Sequence, residues 1–316
     1  MSSNPLALPT LRLNQGDASE ARVYYCAHFI AESLGFFARA GVKIEFTTAQ
    51  SGGHTIQGGQ VPAVIAGEAD LTIGGPMVIM KNHEENGPLL KCFCAAVAGN
   101  PWYLAAASAQ PDFSFASLRG CTVIDVGNVG TATLCFRWLL RQQGIGENEL
   151  KLIPGSGNPQ QDFAAVAAGE IDYALHSLHA LAPTIASGQL ALVQSLSAAT
   201  GPVPWSAYIA RPEIIAAKHQ AFSAFNCAIG LALNWLCEQS AEQVSQVIAP
   251  FYPDYPAEGL IEAVRGYQAS QTFASSTPIA EQDFRHFSDI LQQAGWLKQA
   301  APYAALVDSS LIKEQN

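Results

Sequence analysis

Apolar and polar positions change period repeatedly along this chain. Leu11 to Asn14 alternates as a strand does. Tyr25 to Arg39 then places Phe29, Ile30, Leu34, Phe36 and Phe37 at helical spacing. Val42 to Thr48 returns to alternation, Ile-Glu-Phe-Thr. A helix ending near Gly67 follows, then a short strand from Leu71 to Gly74. Leu89 to Ala98 is apolar and β-compatible, and Gly99-Asn100-Pro101 breaks it. Thr122 to Val126 predicts a strand, and Ala132 to Gln143 a helix closed by Gly144. Lys151–Ile153, a helix before Gly169, Tyr173–Leu175 and Leu190–Val193 continue the alternation of elements up to a second break at 201–204, Gly-Pro-Val-Pro. From Pro212 the pattern is helical, with amphipathic stretches at 221–236, 241–248, 257–268 and 280–294.

One phrase occurs twice within this pattern. Ala66-Gly67-Glu68-Ala69-Asp70 runs into an apolar strand, and Ala168-Gly169-Glu170-Ile171-Asp172 does the same about a hundred residues later. Each copy ends an apolar helical run, and each is preceded by a small-residue turn, at 51–54 and 155–158. A repeated helix-turn-strand unit implies two similar α/β lobes, which naturally enclose a cleft.

Composition narrows the classes. At 316 residues the chain suits two medium domains. Only 13% of residues are charged and the formal net charge is -10, so no basic stripe is available for a phosphate backbone and no nucleic-acid partner is expected. No apolar run approaches the ~20 residues of a membrane helix. The first ten residues lack the basic and apolar regions of a secretory signal, and the seven cysteines lack framework spacing. The sequence as it stands therefore reads as cytoplasmic, or as periplasmic if a signal has been removed.

Several landmarks occur in a fixed order: 31–44 (Ala-Glu-Ser-Leu-Gly-Phe-Phe, then Gly41-Val42 and Ile44), the glycine-rich turn at 51–54, the first Gly-Glu-x-Asp phrase, Leu118-Arg119-Gly120, the Gly127–Thr131 turn, the second Gly-Glu-x-Asp phrase and Gly295-Trp296-Leu297. Over essentially its whole length the chain resembles type II periplasmic-binding-fold proteins. The nearest branch holds the nitrate, sulfonate, taurine and thiamine-pyrimidine-precursor (NMT1/THI5-like) binders. The resemblance implies an α/β fold of two lobes, residues 1–98 plus 205–316 and residues 99–204, closing by a hinge on a small-molecule ligand. It implies delivery of an organic anion or heteroaromatic compound to an ABC importer permease, with no cofactor.

The candidate ligand contacts lie in βα connections, where free N–H groups and helix dipoles favour an anion. They are Ser51, Gly53 and His54 in one turn, Gly75 after the first repeat, and Asn128, Gly130 and Thr131 in another turn. His176 follows the second repeat strand, and Trp205 beside the second break offers an aromatic face. Turn chemistry and hinge packing explain the same residues without a ligand. His176 and His179 make a poor metal pair with no carboxylate or thiol nearby in sequence. Cys26 and His28 complete the set in the first βα connection. Buried free cysteine ordinarily serves as a small hydrophobe. The alternative is a nucleophilic Cys26 with His54 as its base, in a cytoplasmic C–S or C–N lyase or hydrolase. Sulfinate desulfinases of this fold suggest it, although Ile56 stands where their arginine would be. The cysteine cluster of fungal thiamine-pyrimidine synthases is reduced to Cys92-Phe93-Cys94.

Overall fold

The computed structural model describes residues 8–16, 22–48 and 60–312. Ten strands form two five-stranded sheets. They are β1 (Thr10–Asn14), β2 (Lys43–Thr47), β3 (Leu71–Gly74), β4 (Lys91–Val97), β5 (Trp102–Ala106), β6 (Thr122–Asp125), β7 (Lys151–Pro154), β8 (Tyr173–Ser177), β9 (Ala191–Ser195) and β10 (Ser206–Ala210). The first sheet has the order β2-β1-β3-β10-β4 and the second β7-β6-β8-β5-β9. In each, four strands point the same way and one interior strand, β10 or β5, runs antiparallel to both of its neighbours.

The repeated phrase has a structural explanation. Gly67 and Gly169 both turn the chain with positive φ, 77° and 74°. Glu68 N–H then donates to Ala63 O, and Glu170 N–H to Ala165 O. The aspartate of each copy reaches the neighbouring parallel strand: Arg12 N–H donates to Asp70 Oδ2 at 2.8 Å, and Thr122 N–H to Asp172 Oδ2 at 2.7 Å. Both carboxylates thus tie the start of the third parallel strand to the first. Asp70 also pairs with Arg12 at 3.1 Å and Lys218 at 2.9 Å. Burial works against its charge, but these partners hold its carboxyl below the usual range.

The expected helix over 25–39 is divided. A 3-10 turn spans Val23–Tyr25, and two helices follow, Ala27–Ser33 and Phe36–Ala40. Gly35 between them has φ 68°, which ends the first and re-aims the second. Helix Pro76–Glu84 and strands β5 and β10 went unread in the sequence. Both strands are buried along their whole length, so neither shows alternation, and small residues shorten their apolar signal.

The chain passes between the sheets twice, and the two passages are bonded to each other. Asn100 is fully buried; its Nδ2 donates to Thr200 Oγ1 at 3.0 Å while its Oδ1 accepts from Trp102 N–H. Val203 N–H donates to Ala98 O. The C-terminal helices also bridge: Ala257–Ala269 packs on Leu178–Ala186, and Glu281–Gln293 on Gly130–Gln142. Two glycines permit the first of these contacts. A Cβ at Gly259 would lie 3.2 Å from the Pro183 backbone, and one at Gly266 would overlap Leu178 Cδ2.

Candidate functional site

Between the sheets lies a cavity of about 100 Å³. Three helices of at least nine residues begin at its wall. Pro76–Glu84 starts after Gly75, Gly130–Gln142 after Val129, and Leu178–Ala186 after Ser177. Each leaves backbone donors and the positive end of its dipole near the cavity. A Cβ at Gly75 would displace the end of the Met77 side chain, which also lines the cavity.

The first sheet contributes Arg22, Tyr24 and Tyr25, from the connection after β1. The guanidinium of Arg22 lies 5.7 Å from the centre of the Tyr25 ring. Tyr24 and Tyr25 meet edge to face at 4.7 Å, and Ser206 Oγ donates to Tyr25 Oη at 3.2 Å. Among the described residues, Arg22 is the one side chain lining the cavity that carries a fixed charge, and no carboxylate lines it.

From the second sheet come Trp102, Thr131, His176, Ser177 and His179. Trp102 lies parallel to His176 at 6.3 Å and tilted to Trp205 at 5.5 Å. Its indole Nε1–H is buried without a hydrogen-bond partner among the described residues, as is that of Trp296 across the cavity. Burial pushes His176 down to about 4 and His179 well below the ordinary imidazole value, so both rings are neutral at pH 7. The wall is therefore aromatic and hydroxylic with one cation.

The residues singled out from the sequence divide into three groups. Gly75, Thr131, His176 and Trp205 line the cavity. Ser51, Gly53 and His54 lie outside the described residues. Cys26, His28, Asn128 and Gly130 are placed but do not line it. Asn128, at φ 50°, instead clasps the neighbouring loop: its Oδ1 accepts from Gly155 N–H at 2.9 Å and its Nδ2 donates to Gly155 O. His28 is fully buried, its Nδ1 is 3.1 Å from Tyr208 Oη, and desolvation takes it down to about 3.

Cys26 is likewise fully buried, and desolvation pushes its thiol up. A nucleophilic cysteine needs the reverse, a stabilised thiolate open to substrate. The lyase or hydrolase alternative is therefore not favoured. Arg22, Tyr24, Ser177 and Trp296 were missed as site residues. Trp296 carried a signal, since it belongs to one of the ordered landmarks; Arg22 and Tyr24 sit just before an expected helix and resemble ordinary helix-entry residues.

A larger cavity, about 700 Å³, lies beside the crossovers and is lined by residues such as Ser197, Gly201, Gln271 and Asp283. Its lining carries a carboxylate, Asp283, and no cation among the described residues, so it is less suited to an anion than the inter-sheet cavity.

Known proteins share this architecture. YtlA of Bacillus subtilis is 19% identical over 301 residues, 92% of this chain and 86% of that protein. The alkanesulfonate-binding protein SsuA from Xanthomonas axonopodis pv. citri, solved bound to MOPS, superimposes with a TM-score of 0.67 at 15% identity, covering 98% of this chain and 100% of that one. A cysteine-to-serine variant of DszB in complex with biphenyl-2-sulfinic acid gives 0.66 at 12% identity, covering 96% and 97%. At these identities the structures share the fold. The sequence profile described as NMT1/THI5 like matches residues 23–243, and the chain belongs to the NMT1/THI5-like family.

Proposed function

We propose that this protein is a solute-binding protein that holds a small organic anion between its two lobes. The observation that carries this is electrostatic. Three helix N-termini and the Arg22 guanidinium converge on a cavity with no lining carboxylate among the described residues, in a chain whose net charge is -10. Helix N-termini directed at one spot favour an anion there, and Arg22 adds a guanidinium to the same wall. The indole N–H of Trp102 adds a buried donor for a ligand oxygen, whose pairing would recover the cost of leaving it unmade.

A short alkanesulfonate fits the charge, the oxygen acceptors and the aromatic walls, and the binding proteins among the structural neighbours support that choice. The lobes would be residues 1–98 plus 205–316 and residues 99–204, closing about the crossovers at 99–101 and 201–204. The partner receiving the ligand would be the permease of an ABC importer.

Incubating the protein with a pool of short alkanesulfonates, nitrate, aminopyrimidines and aromatic acids, followed by mass spectrometry, tests this. Stoichiometric retention of a sulfonate, recovered unchanged, is the expected outcome. Preferential retention of a cationic or neutral compound would sink the anion assignment, and a consumed compound would sink the binder.

A further inference from the structure

The histidines of the cleft belong to a chain of hydrogen bonds whose protons can be placed. Ser177 N–H donates to His176 Nδ1 at 2.7 Å, so that nitrogen is an acceptor and carries no proton. Ser177 Oγ lies 2.9 Å from the same nitrogen and 3.3 Å from His179 Nε2. At the far end, Tyr267 Oη accepts from His179 N–H at 3.0 Å and lies 3.1 Å from His179 Nδ1.

One arrangement gives every proton in this chain an acceptor. Tyr267 O–H donates to His179 Nδ1, His179 Nε2–H donates to Ser177 Oγ, and Ser177 O–H joins Ser177 N–H in donating to His176 Nδ1. The reverse direction would set the lone pairs of Ser177 Oγ and His176 Nδ1 against each other. It would also leave the Tyr267 hydroxyl proton without an acceptor in a fully buried site. The direction is therefore set, and it ends at His176 Nε2–H, a donor with no partner among the described residues, on a ring that lines the cavity. Gly127 lies against the face of this ring, where a Cβ would stand 3.1 Å from Cε1 and Nε2 and 3.5 Å from Nδ1.

We propose that His176 selects for a hydrogen-bond acceptor on the ligand, presenting Nε2–H as a neutral donor whose proton is fixed by a one-way relay from Tyr267 through His179 and Ser177. The ligand half of this rests on the anion-binding reading; the relay does not. His176 is the contact residue, and Tyr267, His179 and Ser177 are positioning residues. A neutral donor recognises sulfonate oxygens by geometry while Arg22 supplies the charge, so the two contacts separate shape from charge in selectivity. Tyr267 stands on the C-terminal helix that packs against Leu178–Ala186, and Tyr24 packs on both His179 and Tyr267, at 5.2 and 5.9 Å. The relay thus links the donor in the cleft to the helix contact that spans the two sheets.

Long-range proton–nitrogen NMR on the full chain with labelled histidine reads each tautomer without any ligand. His176 and His179 are both expected as Nε2–H at pH 7, with His176→Gln assigning the signals. An Nδ1–H or imidazolium form of His176 would overturn the relay. Tyr267→Phe keeps the ring packing and removes the hydroxyl; it is expected to shift His179 toward a tautomer mixture, and an unchanged His179 would also overturn it. Ethanesulfonate should then perturb the His176 Nε2–H signal in the wild type, and His176→Ala should weaken its binding about tenfold. Wild-type protein that ignores ethanesulfonate while both rings remain Nε2–H would refute the anion reading and leave the relay standing. Binding that leaves the His176 signal unmoved would refute the selection role alone.

Discussion

Cys26 stands at the start of a helix with a thiol that touches no solvent and makes no capping hydrogen bond, and the difference between a packed thiol and a nucleophile is set by what surrounds the sulfur. Its sequence position beside a helix start allowed either role, because sequence shows neighbours along the chain and not the desolvation that raises a thiol's pKa. Cys26→Ala is expected to cost about 1 kcal/mol of stability, the usual scale for a buried substitution, and to leave ligand affinity within twofold. Calorimetry of unfolding and of binding would check both, and a loss of binding would return the thiol to the site. The histidines with lowered values, His28 and His179 buried and His176 half-buried, make a separate prediction about acid. His28 at about 3, His176 at about 4 and the strongly lowered His179 bind fewer protons in the folded state than the ~6.5 of an unfolded imidazole requires. A lowered folded value means stability is complete above pH 6.5 and is lost as pH falls toward 4, by up to roughly 1.4 kcal/mol per pH unit for each ring. Thermal unfolding followed from pH 7 to pH 4.5 should show that decline, and a flat profile would contradict the burial of these rings.

Elements were legible in the sequence where they carried periodicity or a terminating glycine. Helix Gly130–Gln142 was expected from its spacing and from Gly144, which indeed has φ 68°, although it begins two residues earlier than the apolar pattern suggested. The antiparallel strands β5 and β10 were illegible for the opposite reason: a central strand covered on both faces has no alternation to read. These two strands follow the breaks expected at 99–101 and 201–204, and the strands themselves went unread. The repeat was legible as two lobes, but its aspartates gave no hint that they bond the first parallel strand of each sheet. Contact between helices Ala257–Ala269 and Leu178–Ala186 depends on glycine at 259. Gly259→Val should wedge this contact, lowering stability by about 1–3 kcal/mol and weakening ligand binding by holding the lobes apart. Paired measurements of Tm and Kd decide this, since a site with spare room would instead raise Tm when a helical glycine is replaced.

As a whole the molecule pairs two mixed sheets across two short passages that are bonded to one another, with C-terminal helices spanning both. Among the described residues no helix is long and apolar enough to cross a membrane. The site exists only where the two sheets face each other, which is why isolated sequence motifs located parts of it and missed Arg22. Each half brings a different resource: the first sheet the cation and the tyrosines, the second His176, His179 and two helix N-termini. An anion held between them draws on both halves and so favours the closed arrangement over an open one. The most direct test is isothermal titration of ethanesulfonate into wild-type protein and into Arg22→Met, which keeps the length of the side chain and removes its charge. Saturable one-to-one binding by the wild type, weakened about ten- to hundredfold in the variant, is the result expected of a charge-assisted contact. Equal affinity in the two proteins would contradict an anion site organised around Arg22.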